Sequence, residues 1–255
     1  MVDLKETNRL LDVLMATVDS PEPVAEGAEL YCGLDVGTAF IVLVVVDAAG
    51  EPVACAYQFA DVIRDGMVVD YMGACDIARS LKEQLEGRLG CELFQTAVAI
   101  PPGTENLDGG VVRNIAESAG FDVVAVFDEP TAANMVMGIE NGAVVDIGGG
   151  TTGISVLCDG RVVQCVDEST GGTHFSLVLA GAKGVGFDEA ESYKRDSANH
   201  AEVLRIVRPT VDKVASIVER SRRGFEVPEV ILVGGTAELT GIEDRMEHQL
   251  GMPVV

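Results

Sequence analysis

Gly33-Leu34-Asp35-Val36-Gly37-Thr38 and Val145-Asp146-Ile147-Gly148-Gly149-Gly150-Thr151-Thr152 are two versions of one unit. Each passes from a short apolar run through an aspartate into a glycine turn and a threonine, and each is followed by a second apolar strand, a turn and a third. A strand–Asp–glycine turn–strand unit present twice predicts two related half-domains facing one another across a cleft, so that two glycine turns grip one polyphosphate from opposite sides. Glycine supplies tight-turn backbone angles and removes the Cβ that would hold the chain away from a ligand. Successive N–H groups in such a turn form a concave anion site. An aspartate at the strand end cannot touch phosphate without repulsion, which suits it to a hydrated Mg²⁺ that bridges the two. Thr38 and Thr151 add hydroxyl donors. A single glycine turn is a weak signal, since such hairpins are common, and the matched pair is a stronger one.

At 255 residues the chain is long enough for one core to give way to two domains. Acidic residues outnumber basic ones 41 to 18, a formal charge of −23, which disfavours nucleic acid and anionic membranes as partners. Phosphate binding in such a chain depends on Mg²⁺ and on local backbone donors. The longest apolar run, Ala39 to Val46, is too short to cross a bilayer and reads as a buried strand. The first nine residues lack the apolar region of a secretory signal. Six cysteines without a CxxC pair read as reduced, buried thiols of a cytoplasmic protein. His174, His200 and His248 are not spaced with them as zinc ligands would be, and His174 reads as a helix-start residue.

Hydrophobic periodicity and punctuation predict an amphipathic helix and linker over residues 1–27, a first lobe over 28–140 and a second over 141–255. In the first lobe, strands fall near 30–36, 41–47, 52–58, 95–100 and 121–127, with helices near 73–89 and 107–119. Pro101-Pro102-Gly103 breaks the chain, Gly120 ends the second of these helices, and Pro130 and Gly138 bound the next. The second lobe repeats the plan, with strands at 143–147, 154–158 and 161–166, then helices near 175–182, 187–193 and 201–222. A strand at 229–233, a third glycine turn at Gly234-Gly235-Thr236 and a helix at 241–250 complete it. Asp159-Gly160 is a two-residue hairpin turn whose usual register sets Cys158 opposite Arg161 and Cys165 opposite Ile154, which excludes a disulfide between the two cysteines.

Four ordered stretches carry a resemblance: the first unit at 33–38, Asp128-Glu129-Pro130-Thr131-Ala132-Ala133, the second unit at 145–152, and Val230-Ile231-Leu232-Val233-Gly234-Gly235. They resemble the phosphate-1, connecting, phosphate-2 and adenosine motifs of the actin-like ATPase superfamily. Within it, residues 60–66, 101–104, 170–174 and 189–195 resemble the family of ethanolamine-utilisation J proteins, DnaK-like chaperones of ethanolamine operons.

The resemblance implies an α/β, ribonuclease H-like fold of two lobes with the outer subdomains reduced or absent, and ATP or ADP with Mg²⁺ as cofactors. It implies that Asp35 and Asp146 position the metal, that Glu129 orients water or metal with them, and that Gly37, Thr38, Gly148, Gly149, Gly150 and Thr151 cradle the phosphates. Gly171, Gly172, Gly234 and Gly235 would approach the ribose and adenine, and Lys194 and Arg195 lie on a helix like the one that contacts the nucleoside; a solvated helix face is an alternative for these two. The stretch between Asp35 and Glu129 is too short for the inserted subdomain that supplies a γ-phosphate lysine in DnaK-type chaperones, which implies slow hydrolysis. The implied partners are ethanolamine-degrading enzymes or microcompartment proteins, in the cytoplasm or at the microcompartment. Three readings stay open: a nucleotide-dependent chaperone or assembly factor, a non-hydrolysing scaffold of the same fold, and a small-molecule kinase of the same superfamily, which the small size and the lack of a catalytic acid or base beyond Asp146 disfavour.

Overall fold

The computed structural model describes residues 4–25, 27–60, 62–64, 67–100 and 108–255. The whole 101–104 motif, with the chain-breaking Pro101-Pro102-Gly103, and residues 61, 65 and 66 of the 60–66 motif lie outside that set. The chain divides into two compact units, residues 2–132 and 133–255.

In the first unit, α1 (Lys5–Thr17) precedes β1 (Leu30–Val36), β2 (Phe40–Asp47), β3 (Pro52–Phe59), the short pair β4 (Ile63–Arg64) and β5 (Met67–Val68), α2 (Tyr71–Leu89), β6 (Gln95–Ile100), α3 (Asp108–Ser118) and β7 (Asp122–Asp128). α4 (Glu129–Met137) then carries the chain into the second unit. The sheet order is β3-β2-β1-β6-β7, antiparallel across β3-β2-β1 and parallel across β1-β6-β7. Period-two alternation explains its core: Ile41, Leu43 and Val45 all point to the buried face and pack with Ala74, Ala78, Leu81 and Leu85 of α2. Asp70 caps α2 by accepting from the Gly73 N–H at 2.9 Å, and Gly90 ends it in the left-handed region at φ 70°. α1 lies along β3, tied by an Arg9–Glu51 ion pair and by Arg88 of α2, whose Nη2 donates to the Thr17 carbonyl at 2.8 Å.

The second unit contains β8 (Gly142–Ile147), β9 (Thr152–Cys158), β10 (Arg161–Glu168), α5 (Gly172–Lys183), α6 (Phe187–Arg195), α7 (His200–Ser221), β11 (Val230–Val233) and α8 (Ile242–Leu250). Its sheet order, β10-β9-β8-β11, repeats β3-β2-β1-β6 of the first unit, including the parallel step to the fourth strand. This is the structural form of the duplicated sequence unit. α7 supplies the main buried stripe, Val203, Val207, Val211, Val214 and Val218, at helical spacing. Pro209 removes one N–H from its bonding pattern, on the exposed side of the helix. The final residues run parallel to β11, with Leu232 N–H donating to the Val255 carbonyl at 2.7 Å.

Two sequence expectations need correction. Asp159 and Gly160 adopt φ of 52° and 70°, and Cys158 does face Arg161, but the β9–β10 register shifts by one residue between Val162 and Gln164. This bulge sets Cys165 opposite Ser155, not Ile154, with its Sγ 3.0 Å from the Ser155 Oγ. The thiols also differ in burial: Cys32, Cys55 and Cys75 are buried, Cys91 and Cys158 half-buried, and Cys165 exposed. Burial pushes the Cys32 thiol up to about 12, which keeps it protonated and unreactive.

Truncating Leu43→Ala should cost about 2–5 kcal/mol in urea unfolding. Leu11→Ala on the exposed side of α1 should change stability by less than about 0.5 kcal/mol.

Candidate functional site

Each unit carries an aspartate and a glycine turn on its first hairpin. In the first, Asp35 sits near the end of β1 and Gly37 N–H donates to the Phe40 carbonyl at 3.0 Å, closing a tight turn with Thr38 and Ala39 at its tip. A Cβ on Gly37 would lie 3.0 Å from that carbonyl oxygen and 3.6 Å from Asp35 Oδ2, so the turn and the carboxylate are packed against each other. Glu129 opens α4 in the same unit, behind Asp128, which caps the helix by accepting from Thr131 N–H at 2.9 Å.

The second unit shows the more detailed construction. Gly148 N–H donates to the Thr151 carbonyl at 3.0 Å, and the turn's three glycine carbonyls all receive donors from the start of α5. Gly171 N–H reaches Gly150 O at 3.0 Å, Gly172 N–H reaches Gly148 O at 2.9 Å and Thr173 N–H reaches Gly149 O at 2.7 Å. The N–H groups at this helix start, ordinarily an anion site, are therefore committed to the turn. Among the described residues no turn or loop carbonyl accepts from the Gly149, Gly150 or Thr151 N–H, which leaves these as candidate donors to an anion.

The glycine spacing follows from this packing. A Cβ on Gly171 would stand 2.6 Å from the Gly150 carbonyl carbon, one on Gly172 2.5 Å from Thr236 Oγ1, and one on Gly234, at φ 91°, 2.1 Å from Asp146 Oδ1. Gly235 has open space around it. Thr236, which the sequence reading passed over as a mere turn residue, bridges the third glycine turn to the second: its N–H donates to Ile147 O at 3.0 Å and its hydroxyl to Gly148 O at 2.8 Å. The signal for it was the Gly-Gly-Thr that repeats residues 149–151.

Lys194 is not on a solvated face. Its ammonium donates to the Gly172 carbonyl at 3.0 Å and to Glu191 Oε2 at 2.7 Å, bracing the start of α5 from below, while Arg195 is more exposed and bonds Glu191 Oε1. Ser176 also donates to Glu191. Burial pushes the Glu191 carboxyl up, but the bonds from Lys194, Ser176 and Arg195 outweigh it and hold the group at about 2.

Asp146 has the opposite surroundings. The residue as a whole keeps some accessible surface, yet its carboxyl group is closely enclosed, and no hydrogen bond to it exists among the described residues. Burial, and secondarily the charge of Asp167, raise it to about 6. For an acid raised in the fold, the protonated form stabilises at low pH, and that contribution is lost as pH rises from about 4 to 6. At neutral pH the ionised Asp146 is thus a buried charge in want of a counter-ion. A hydrated divalent cation fits that want. Among the described residues no three His, Cys, Asp or Glu side chains form a metal cage, and a hydrated Mg²⁺ needs only one or two carboxylates when phosphate supplies the rest.

Two sheets of one strand order, each carrying an aspartate and a glycine turn on its first hairpin, define the actin-like ATPase fold. The family profile of the type IV pilus assembly protein PilM matches residues 124–255, and that of MreB/Mbl protein residues 57–179. Ethanolamine utilization protein EutJ of Salmonella typhimurium is 42% identical over 228 residues, 89% of this chain and 80% of that protein. The crystal structure of EutJ from Carboxydothermus hydrogenoformans superposes with a TM-score of 0.88 at 45% identity, over 98% of this chain and 91% of that one. The chain belongs to the EutJ family of ethanolamine utilization proteins. At the level of fold alone, it matches MreB5 of Spiroplasma citri bound to ADP, with a TM-score of 0.71 and 17% identity over 89% of this chain and 91% of that one. A 113-residue stretch, 40% of this chain, is 34% identical to 18% of the chaperone HscA homolog of Chromobacterium violaceum.

Glu191→Gln should lower stability at neutral pH by on the order of 2 kcal/mol. Because a depressed carboxyl contributes stability above its unfolded value that is lost as pH falls, the variant should also lack the part of the wild-type decline between about pH 4.5 and 2, read by unfolding at stepped pH.

Proposed function

We propose that this EutJ-family protein binds Mg-ATP and Mg-ADP at its glycine turns and acts as a nucleotide-dependent chaperone or assembly factor in ethanolamine utilization. The observation that carries this reading is the enclosed, donor-less Asp146 beside a turn whose carbonyls are tied down and whose N–H groups are candidate donors to an anion. Asp35 and the 37–40 turn give the first unit a carboxylate and a glycine turn of the same kind, and a change of nucleotide at these turns would change a partner surface. Support for nucleotide comes from the fold shared with ADP-bound MreB5, and support for a chaperone role from the HscA-like stretch. The partners proposed are ethanolamine-degrading enzymes or the proteins of their microcompartment, in the cytoplasm. Among the described residues no helix is long and apolar enough to cross a membrane.

In this reading the metal supplies charge neutralisation at the phosphates, and the protein's residues orient and enclose. Asp146 would hold the cation's waters, with Asp35 the corresponding carboxylate of the first unit; the 149–151 N–H groups would bind phosphate oxygen, and Glu129 would orient water. Hydrolysis is slow, since phosphoryl transfer rests on positioning and charge stabilisation and this chain offers no lysine aimed at the terminal phosphate. A second reading, a scaffold whose partner contacts ignore nucleotide, draws support from the pilus-assembly family profile over residues 124–255.

Calorimetric titration of ATP and ADP with and without Mg²⁺ decides between them. The first reading expects Mg²⁺-dependent binding near the micromolar range, about −8 kcal/mol, weakened at least about tenfold by Asp146→Asn. No binding by the wild-type chain leaves the scaffold.

A further inference from the structure

Asp167 lies outside every motif that marks this site, yet the sheet delivers it there. Across β8-β9-β10 the register places Asp146 opposite Gly153 and Asp167 opposite the same Gly153. Directly paired residues share a face, so the two carboxylates stand on one face of the sheet, two strand spacings apart, about 10 Å between Cα atoms. The residue between them has no side chain.

The bulge at Val162–Gln164 creates this alignment. Continued unshifted from the Cys158–Arg161 pair, β10 would set Asp167 opposite Thr152, whose strand neighbours Ile154 and Val156 on that face belong to the core packed with α7. The extra residue turns Asp167 away from that core and onto the face of Asp146. Asp167 Oδ1 is buried without a hydrogen-bond partner, and Asp146 has no donor either. The Thr151 hydroxyl and the Glu168 backbone donate to the Asp167 carboxylate, while its Oδ1 stays open; two like charges on one face repel when ionised, and a cation held through its water shell relieves them.

We propose that Asp167 is a positioning residue for the divalent cation of this site, acting with Asp146 across Gly153 to hold the ion's water shell beside the Gly148–Thr151 turn. This extends the reading of that turn as a phosphate-and-cation site. Asp167 holds the cation whether or not nucleotide is present. Thr151 lies next to Asp167, and its hydroxyl favours the ionised carboxylate, the form that attracts a cation.

The test uses Mn²⁺ as a paramagnetic stand-in for Mg²⁺ on the full chain without nucleotide, read by electron paramagnetic resonance at about 0.15 M salt, where diffuse surface attraction is screened. Wild type should hold Mn²⁺ that excess Mg²⁺ displaces, and Asp167→Asn should weaken it about tenfold or more while Asp122→Asn, an exposed acid on β7, leaves it unchanged. Equal Mn²⁺ binding by Asp167→Asn and wild type, or no displaceable Mn²⁺ on wild type, overturns the proposal. If Asp167→Asn does not fold, the unmodified protein gives the answer: trace Mn²⁺ should broaden the carboxyl carbon resonances of both Asp146 and Asp167, and broadening of Asp146 alone overturns it. Failure of nucleotide binding in the calorimetric experiment, with the Mn²⁺ results as expected, removes the nucleotide reading and leaves the carboxylate pair standing.

Discussion

The Gly148 carbonyl is the point on which the second unit's site depends. One oxygen accepts both the Gly172 N–H at 2.9 Å and the Thr236 hydroxyl at 2.8 Å, joining three glycine turns that are far apart in the chain. Lys194 extends the junction by holding the Gly172 carbonyl from the other side; Glu191 accepts from Lys194 and also from the Ser176 hydroxyl. Each member is bonded to the next, and such buried polar chains fix one arrangement only when every group is satisfied. The turn is thus held through its glycine carbonyls, all three of which accept bonds from the start of α5.

Electrostatics divides the site into a satisfied part and an unsatisfied one. Glu191, with three donors, is stabilised as an anion; Asp146 and Asp167, in the same unit, are destabilised as anions by burial. In a chain of charge −23 this contrast is local and owes nothing to net charge. It separates a carboxylate that hydrogen bonds hold below its usual range from carboxylates that burial holds above theirs.

Much of the fold was legible because its signals are local. Alternation at Ile41, Leu43 and Val45, helical spacing along α7, and glycines such as Gly120 and Gly138 at left-handed angles give element type and boundary from neighbouring residues alone. The Asp-and-glycine turns were legible because they occur twice. Thr236 was not, because its role is made by a hydrogen bond spanning 88 residues. Asp167 was hidden for a related reason: its face is set by a bulge that strand propensity does not reveal, and the same shift misdirects any reading of Cys165. Lys194 was not legible as a brace, since the carbonyl it bonds belongs to another helix.

The glycine cage also bears on how relatives of this protein should be read. Gly171, Gly172 and Gly234 exclude side chains because protein atoms stand where a Cβ would be. A descendant that had lost its ligand altogether would still need all three to fold, so their persistence in a lineage records architecture. Asp146 and Asp167 carry the opposite information. With nothing to bind, both are a liability that drift would readily replace with asparagine or an apolar residue, so in any set of homologues these two aspartates, not the glycines, date the loss of the ligand.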